Sequence, residues 1–76
     1  MNRQIIIFSQ GINKGSSVFL FLLKQLSEPG HRNVAFYHRN SSDLRKEMIL
    51  KDLKLPLNSA EKQLVAVVAT VSLGRN

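Results

Sequence analysis

The chain reads as one half of a doubly wound α/β domain, and three observations predict it. Three short apolar runs, Ile5 to Phe8, Val34 to Tyr37 and Leu64 to Ala69, are continuous rather than alternating. That pattern belongs to strands buried on both faces, as in a parallel sheet covered by helices. A helical stretch separates each run from the next, so both connections are long enough for a right-handed crossover between parallel strands. Each run also ends in small, hydroxylated or basic residues, at the end of the sheet where open α/β folds collect their ligands.

The elements follow in order. Ile5-Ile6-Ile7-Phe8 is β-branched and forms the first strand. The first helix is expected to start near Ser16 or Ser17, both good N-cap types, and to run to about Ser27. Phe19, Leu22, Leu23 and Leu26 hold the i, i+3, i+4, i+7 spacing of a buried stripe, and Pro29-Gly30 stops the helix. Val34-Ala35-Phe36-Tyr37 follows as the second strand. The second helix is framed by Asn40 as its cap, with Asp43 three residues on in a capping-box-like position. Leu44, Met48 and Leu53 give that helix its apolar side, while Arg45, Lys46, Lys51 and Asp52 are expected to face water. The tract from Lys54 to Glu61 is a loop into the third and strongest strand. Doubly wound domains usually carry five or six strands, so a β-α-β-α-β unit of three is incomplete.

Length and composition bound the rest. Seventy-six residues make one small domain, residues 1–76, able to bury only about 60% of its unfolded surface. With no cysteine there is no disulfide, thiolate zinc site or cysteine nucleophile. The longest apolar run, Val18 to Leu23, falls far short of the roughly 20 residues a membrane span needs, and no secretory leader is recognisable. An intracellular location, cytoplasmic or nuclear, is the expectation. Eleven Lys+Arg against five Asp+Glu give a net charge of +6, which favours an anionic partner. The cations are dispersed from Arg3 to Arg75 without a polybasic block, so a merely solvated basic surface explains the same charge.

Three segments meet at the carboxyl ends of the expected strands: Ser9 to Ser17, His38 to Ser42, and Thr70 to Asn76. The first is not a nucleotide-binding P-loop, because three residues rather than four separate Gly11 from Gly15 and Ser16 follows directly. What it retains is a glycine turn feeding a helix N-terminus, whose free amides favour an anion, but on this segment alone an ordinary strand-to-helix turn is the favoured explanation. His38 with Ser41, Ser42 and Asp43 can be drawn as a hydrolytic triad, but helix capping explains the last three and no G-x-S-x-G elbow is present. His31 and His38 have no carboxylate or cysteine partner at metal-ligand spacing, so no metal site is expected. Thr70 leaves the end of an apolar strand, and Gly74 beyond it permits close backbone approach.

Taken in order, these segments resemble the second RecA-like domain of superfamily-two helicases, the RecQ-like group in particular. Ile5 to Gly11 (I-I-I-F-S-Q-G) looks like motif IV, and Val34 to Arg39 (V-A-F-Y-H-R) resembles the strand that ends in a Tyr-His pair in RecQ-like members. The helix from Arg45 to Leu53 corresponds to the stretch that follows. Val67 to Gly74 (V-V-A-T-V-S-L-G) is similar to motif V. Departures are Ser9 in place of the commoner Cys, and Arg75-Asn76 where Met and a second Gly are usual.

The resemblance implies a three-layer half of a RecA-like/Rossmann-like parallel sheet, a fragment of an ATP-dependent DNA helicase that binds the phosphate backbone of single-stranded DNA or RNA. By that resemblance Ser9, Gln10, Gly11, His38, Arg39 and Thr70 contact the nucleic acid, and Ser72 and Gly74 shape the turn toward the ATP cleft. ATP and Mg serve the full-length family, but this sequence carries no P-loop, D-E-x-H box or motif VI, so no catalytic residue, resident cofactor or independent ATPase is expected. Further partners implied are a first RecA-like domain or a second copy meeting the open sheet, and no membrane. Two other readings stay open: a small interaction module docking through its incomplete sheet, and a small binder of a phosphate ligand.

Overall fold

A computed structural model describes residues 3–26 and 33–70. The elements are β1 (Ile5–Ser9), α1 (Ile12–Leu26), β2 (Val34–Tyr37), α2 (Asp43–Lys54) and β3 (Ala66–Thr70). The three strands form one open, parallel sheet in the order β1-β3-β2. The last strand thus occupies the centre, and the chain reverses its direction of travel across the sheet between the two crossovers.

Two crossovers of the same hand then require helices on opposite faces, and the packing agrees. On one face Gly15 of α1 approaches Ser9 and Phe36, and the Phe19 ring stacks on Phe36 at 5.8 Å. On the other, Ile49 of α2 packs against Ala35 and Val67, with Tyr37, Leu53 and Leu64 around them. The expected α/β layering is therefore present: three parallel strands between two helices.

Register explains the core. Ile5, Ile6, Ile7, Phe8 and Ser9 lie beside Ala66, Val67, Val68, Ala69 and Thr70, which lie in turn beside Val34 to Tyr37. Flanked on both edges and covered on both faces, β3 is buried throughout, Val68 and Ala69 completely. β1 breaks the expectation of two-sided burial. Its continuous apolar run is an edge strand, and Ile5, Ile6 and Phe8 remain 43%, 46% and 59% exposed. The second helix sits over β2 and β3, so among the described residues it leaves that side of β1 uncovered.

Four helix expectations are corrected. α1 begins at Ile12, four residues before Ser16, because Gly11 takes a φ of +87° and turns the chain directly out of β1. Ser17 then lies inside the helix, its Oγ donating back to the Asn13 carbonyl at 3.3 Å. The stripe of α1 is also looser than its spacing suggests: Phe19, Leu22 and Leu23 are half-buried, Leu26 is exposed, and Gly15 alone is buried. At α2 the cap is Ser42, not Asn40; its Oγ accepts from the Arg45 amide at 3.2 Å. Asp43 is the acidic residue of that first turn, favourable to the helix dipole. Leu44 and Met48 are exposed, and Ile49 is the buried anchor. Pro29, Gly30, His31 and Ser27 lie outside the described residues.

The largest departure is Asp52. Instead of facing water, its carboxylate accepts from Gln4 Nε2 at 3.0 Å, the Gln63 amide at 2.8 Å and the Leu64 amide at 3.3 Å. Lys62, its side chain 1% exposed, stands 3.8 Å away and donates from Nζ to the Asp52 and Leu55 carbonyls at 2.5 and 2.9 Å. Lys62 therefore closes the carboxyl end of α2, where free carbonyls and the dipole favour a cation.

Gly11 offers a direct test of the turn. A methyl group there meets no atom within 4 Å, so only the backbone opposes it. Gly11→Ala is expected to cost about 1–2 kcal/mol through its left-handed φ alone. Urea unfolding would show a lower midpoint at unchanged slope.

Candidate functional site

Strand ends assemble the site. Ser9 and Thr70 are register partners at the carboxyl ends of β1 and β3. His38 follows Tyr37, which pairs with Ala69, so it stands level with Thr70 on the opposite side of β3. Side chains two apart share a face: Ser9 lies beneath Gly15, and the His38 ring meets Phe36 at 4.6 Å. Ser9, Thr70 and His38 therefore form one row across the sheet on the α1 face. At a strand spacing of about 4.8 Å the row spans roughly 10 Å.

The row has a buried floor and an exposed rim. Ser9 and Thr70 are 9% and 5% exposed. Ser9 Oγ has no hydrogen-bond partner among the described residues, a state that costs a buried hydroxyl about 1–3 kcal/mol. His38 is half-buried, while Gln10, Gly11 and Arg39 are exposed beside the row. Above Ser9, the Gly15 amide donates to the Gly11 carbonyl at 3.1 Å and opens the helical ladder. The amides of Ile12, Asn13 and Lys14 precede that ladder and have no helical acceptor, which makes this helix end attractive to an anion.

A tight turn orients His38. Its Nδ1 accepts from the Asn40 amide at 3.2 Å, so Nε2 carries the ring proton in this arrangement. The His38 amide donates to Ser41 Oγ, which donates to the Phe36 carbonyl, and the Ser41 amide returns to the His38 carbonyl at 3.0 Å. Asn40 and Ser41 thus build the turn that the sequence reading had assigned to capping. Beside it, Lys46 Nζ donates to the Arg39 carbonyl at 3.2 Å. Lys14 and Arg45 are exposed in the first turns of the two helices and Arg39 leads out of β2, so three cations ring this end of the sheet.

Six residues expected from the sequence, Ser9, Gln10, Gly11, His38, Arg39 and Thr70, are all brought to this end. Ser72 and Gly74 lie outside the described residues. Sequence reasoning missed Gly15, whose lack of a side chain lets α1 settle on Ser9; its place one turn after Gly11 was the available signal. It also missed Lys46 as a partner of Arg39. Among the described residues no three His, Cys, Asp or Glu side chains come together to hold a metal ion, and no helix is long and apolar enough to cross a membrane. No protein-family model, curated protein or solved structure matches the chain.

Proposed function

We propose that the chain is the part of a RecQ-like helicase's second RecA-like domain running from motif IV to motif V, and that its carboxyl-end surface binds the phosphate backbone of single-stranded DNA or RNA. The observation that carries this reading is the single row Ser9, Thr70 and His38, with exposed Gln10, Gly11 and Arg39 at its rim. Unpaired helix amides supply donors, and Lys14, Arg39 and Arg45 supply charge. An imidazole braced at Nδ1 leaves Nε2–H to donate to a phosphate oxygen. The helicase identity itself rests on the motif resemblance. Neither strand ends nor loops carry a phosphate-transfer apparatus in this sequence, so binding without ATP hydrolysis is the expected activity.

Fluorescence anisotropy of a labelled single-stranded oligonucleotide tests it. Three phosphate contacts predict a slope near −2 in log K against log salt, or about twenty-fold weaker binding for a fourfold rise in salt. Arg39→Ala should lower that slope by roughly 0.7. Ser9→Ala is expected to leave stability equal or higher, since it removes a buried hydroxyl without a partner, yet to weaken binding by about fivefold. No binding at low salt by a protein that circular dichroism shows to be folded would sink the reading.

A further inference from the structure

Among the described residues β1 is an edge strand without the usual protection. No lysine, proline or bulge interrupts Ile5–Ser9, and charged or kinked edges are how proteins keep such strands from pairing. Which backbone groups face outward can be read from one bond. The Ile5 amide donates to the Val65 carbonyl at 2.9 Å, so Ile5, Ile7 and Ser9 turn their amides and carbonyls toward β3. Those of Ile6 and Phe8 point to the free edge.

We propose that this edge pairs antiparallel with the same strand of a second copy, about a two-fold axis through Ile7. The strand's own polarity argues for a copy of itself. Read outward from Ile7, the sequence is Ile6 and Phe8, then Ile5 and Ser9, then Gln4 and Gln10. Centring on Ile7 sets Ile6 opposite Phe8 of the second copy and Gln4 opposite Gln10. Each Ile6–Phe8 pair exchanges two backbone hydrogen bonds, as outward-facing residues must. Shifting the axis to Ile6 or Phe8 would set Gln4 against Phe8 or Ile6 against Gln10, which opposes polar to apolar on the same face. With the axis at Ile7, Arg3 meets Gly11, so no like charges oppose each other across this pair.

The same arrangement covers surface left bare in one copy. Ile6 and Phe8 face the α2 side, as Gln4 does through its bond to Asp52. Met48, one helical turn before Asp52 and so on the same side of α2, is 63% exposed. Ile6, Phe8 and Met48 offer about 340 Å² per copy on this side, taking roughly 200 Å² for each large side chain. Edge-to-edge pairing covers only part of that face, through cross-strand packing of Ile6 on Phe8, and adds the edge backbone, which makes a weak, reversible contact rather than an obligate one. The product is one continuous six-stranded sheet.

This inference is independent of the nucleic-acid reading, and two experiments test it. Sedimentation equilibrium should give a dimer constant of roughly 10–100 micromolar, and Phe8→Lys should weaken it at least tenfold while circular dichroism stays unchanged. Because the chain has no native cysteine, Ile7→Cys should cross-link to itself under mild oxidation. Residues facing across a non-hydrogen-bonded antiparallel pair have Cα atoms about 4.5 Å apart, within disulfide reach. Ile5→Cys, set opposite Ser9, should stay uncrosslinked. Cross-linking through Ile5→Cys instead, or a wild-type monomer up to about 500 micromolar, overturns the proposal. So does a protein that remains monomeric yet takes up an extended peptide along β1.

Discussion

Asp52→Ala is expected to leave much of the protein unfolded at 25 °C. The substitution strands two groups at once: the half-buried Leu64 amide loses its acceptor, and Lys62 keeps a buried charge with no carboxylate near it. Removing one partner of a buried pair costs about 3–5 kcal/mol. Total stability for a chain this short is of similar size, at roughly 0.05–0.15 kcal/mol per residue. Urea denaturation followed by circular dichroism measures the loss. Adding Lys62→Met should recover part of it, because the second change removes the stranded charge and leaves an apolar stem in its place. A double mutant no more stable than Asp52→Ala alone would show that the Asp52–Lys62 contact carries no coupling.

Gly15→Ala should also destabilise, although alanine is the better helix former by about 1 kcal/mol. A Cβ at this position would stand 2.6 Å from Ser9 Oγ and 2.7 Å from two carbons of the Phe36 ring. Phe36 has little room to yield, since it lies between the rings of Phe19 and His38. Overpacking of this kind costs about 1–3 kcal/mol, so after the helix gain the expected net change is a loss of up to about 2 kcal/mol. Shortening the obstacle with Phe36→Leu in the same chain should offset part of it. A Gly15→Ala protein with a raised urea midpoint would mean that α1 slides away from the sheet without penalty. Because Gly15 lies over Ser9, the substitution also shifts the helix end relative to the strand-end row, and oligonucleotide binding should weaken with it.

The strands were legible because their apolar runs are long and β-branched, and β2 falls on Val34–Tyr37 as expected. The end at which Ser9, His38 and Thr70 gather was legible too, since parallel strands carry their loops to a common side. Strand order was not. Nothing local distinguishes Ile5–Ser9 from Ala66–Thr70 as edge or centre, since both are continuous apolar runs; the distinction arises only when the sheet assembles. The same reason hid Asp52. A carboxylate among lysines on a helix reads as solvated surface, and it becomes an acceptor only once the loop through Lys62 returns past it. Ser16 and Ser17 misled for an opposite reason: both suit a cap, but Gly11's turn had already started the helix.

The placement of β3 has a consequence for how the protein reaches its native state. β1 and β2 are separated by the slot that β3 fills, so neither has a ladder partner until the chain beyond residue 65 arrives between them. During synthesis β1 and β2 cannot pair with each other, and every strand pairing among the described residues waits for β3. Productive folding is then a single late event, closing loops from residue 5 to 66 and from 34 to 66 together. Such distant closures are slow, and apolar strands wait unpaired beforehand. Of the three strands, Ile5-Ile6-Ile7-Phe8 is synthesised first and waits longest for its neighbour, which exposes it to encounters with holding chaperones or with other nascent copies.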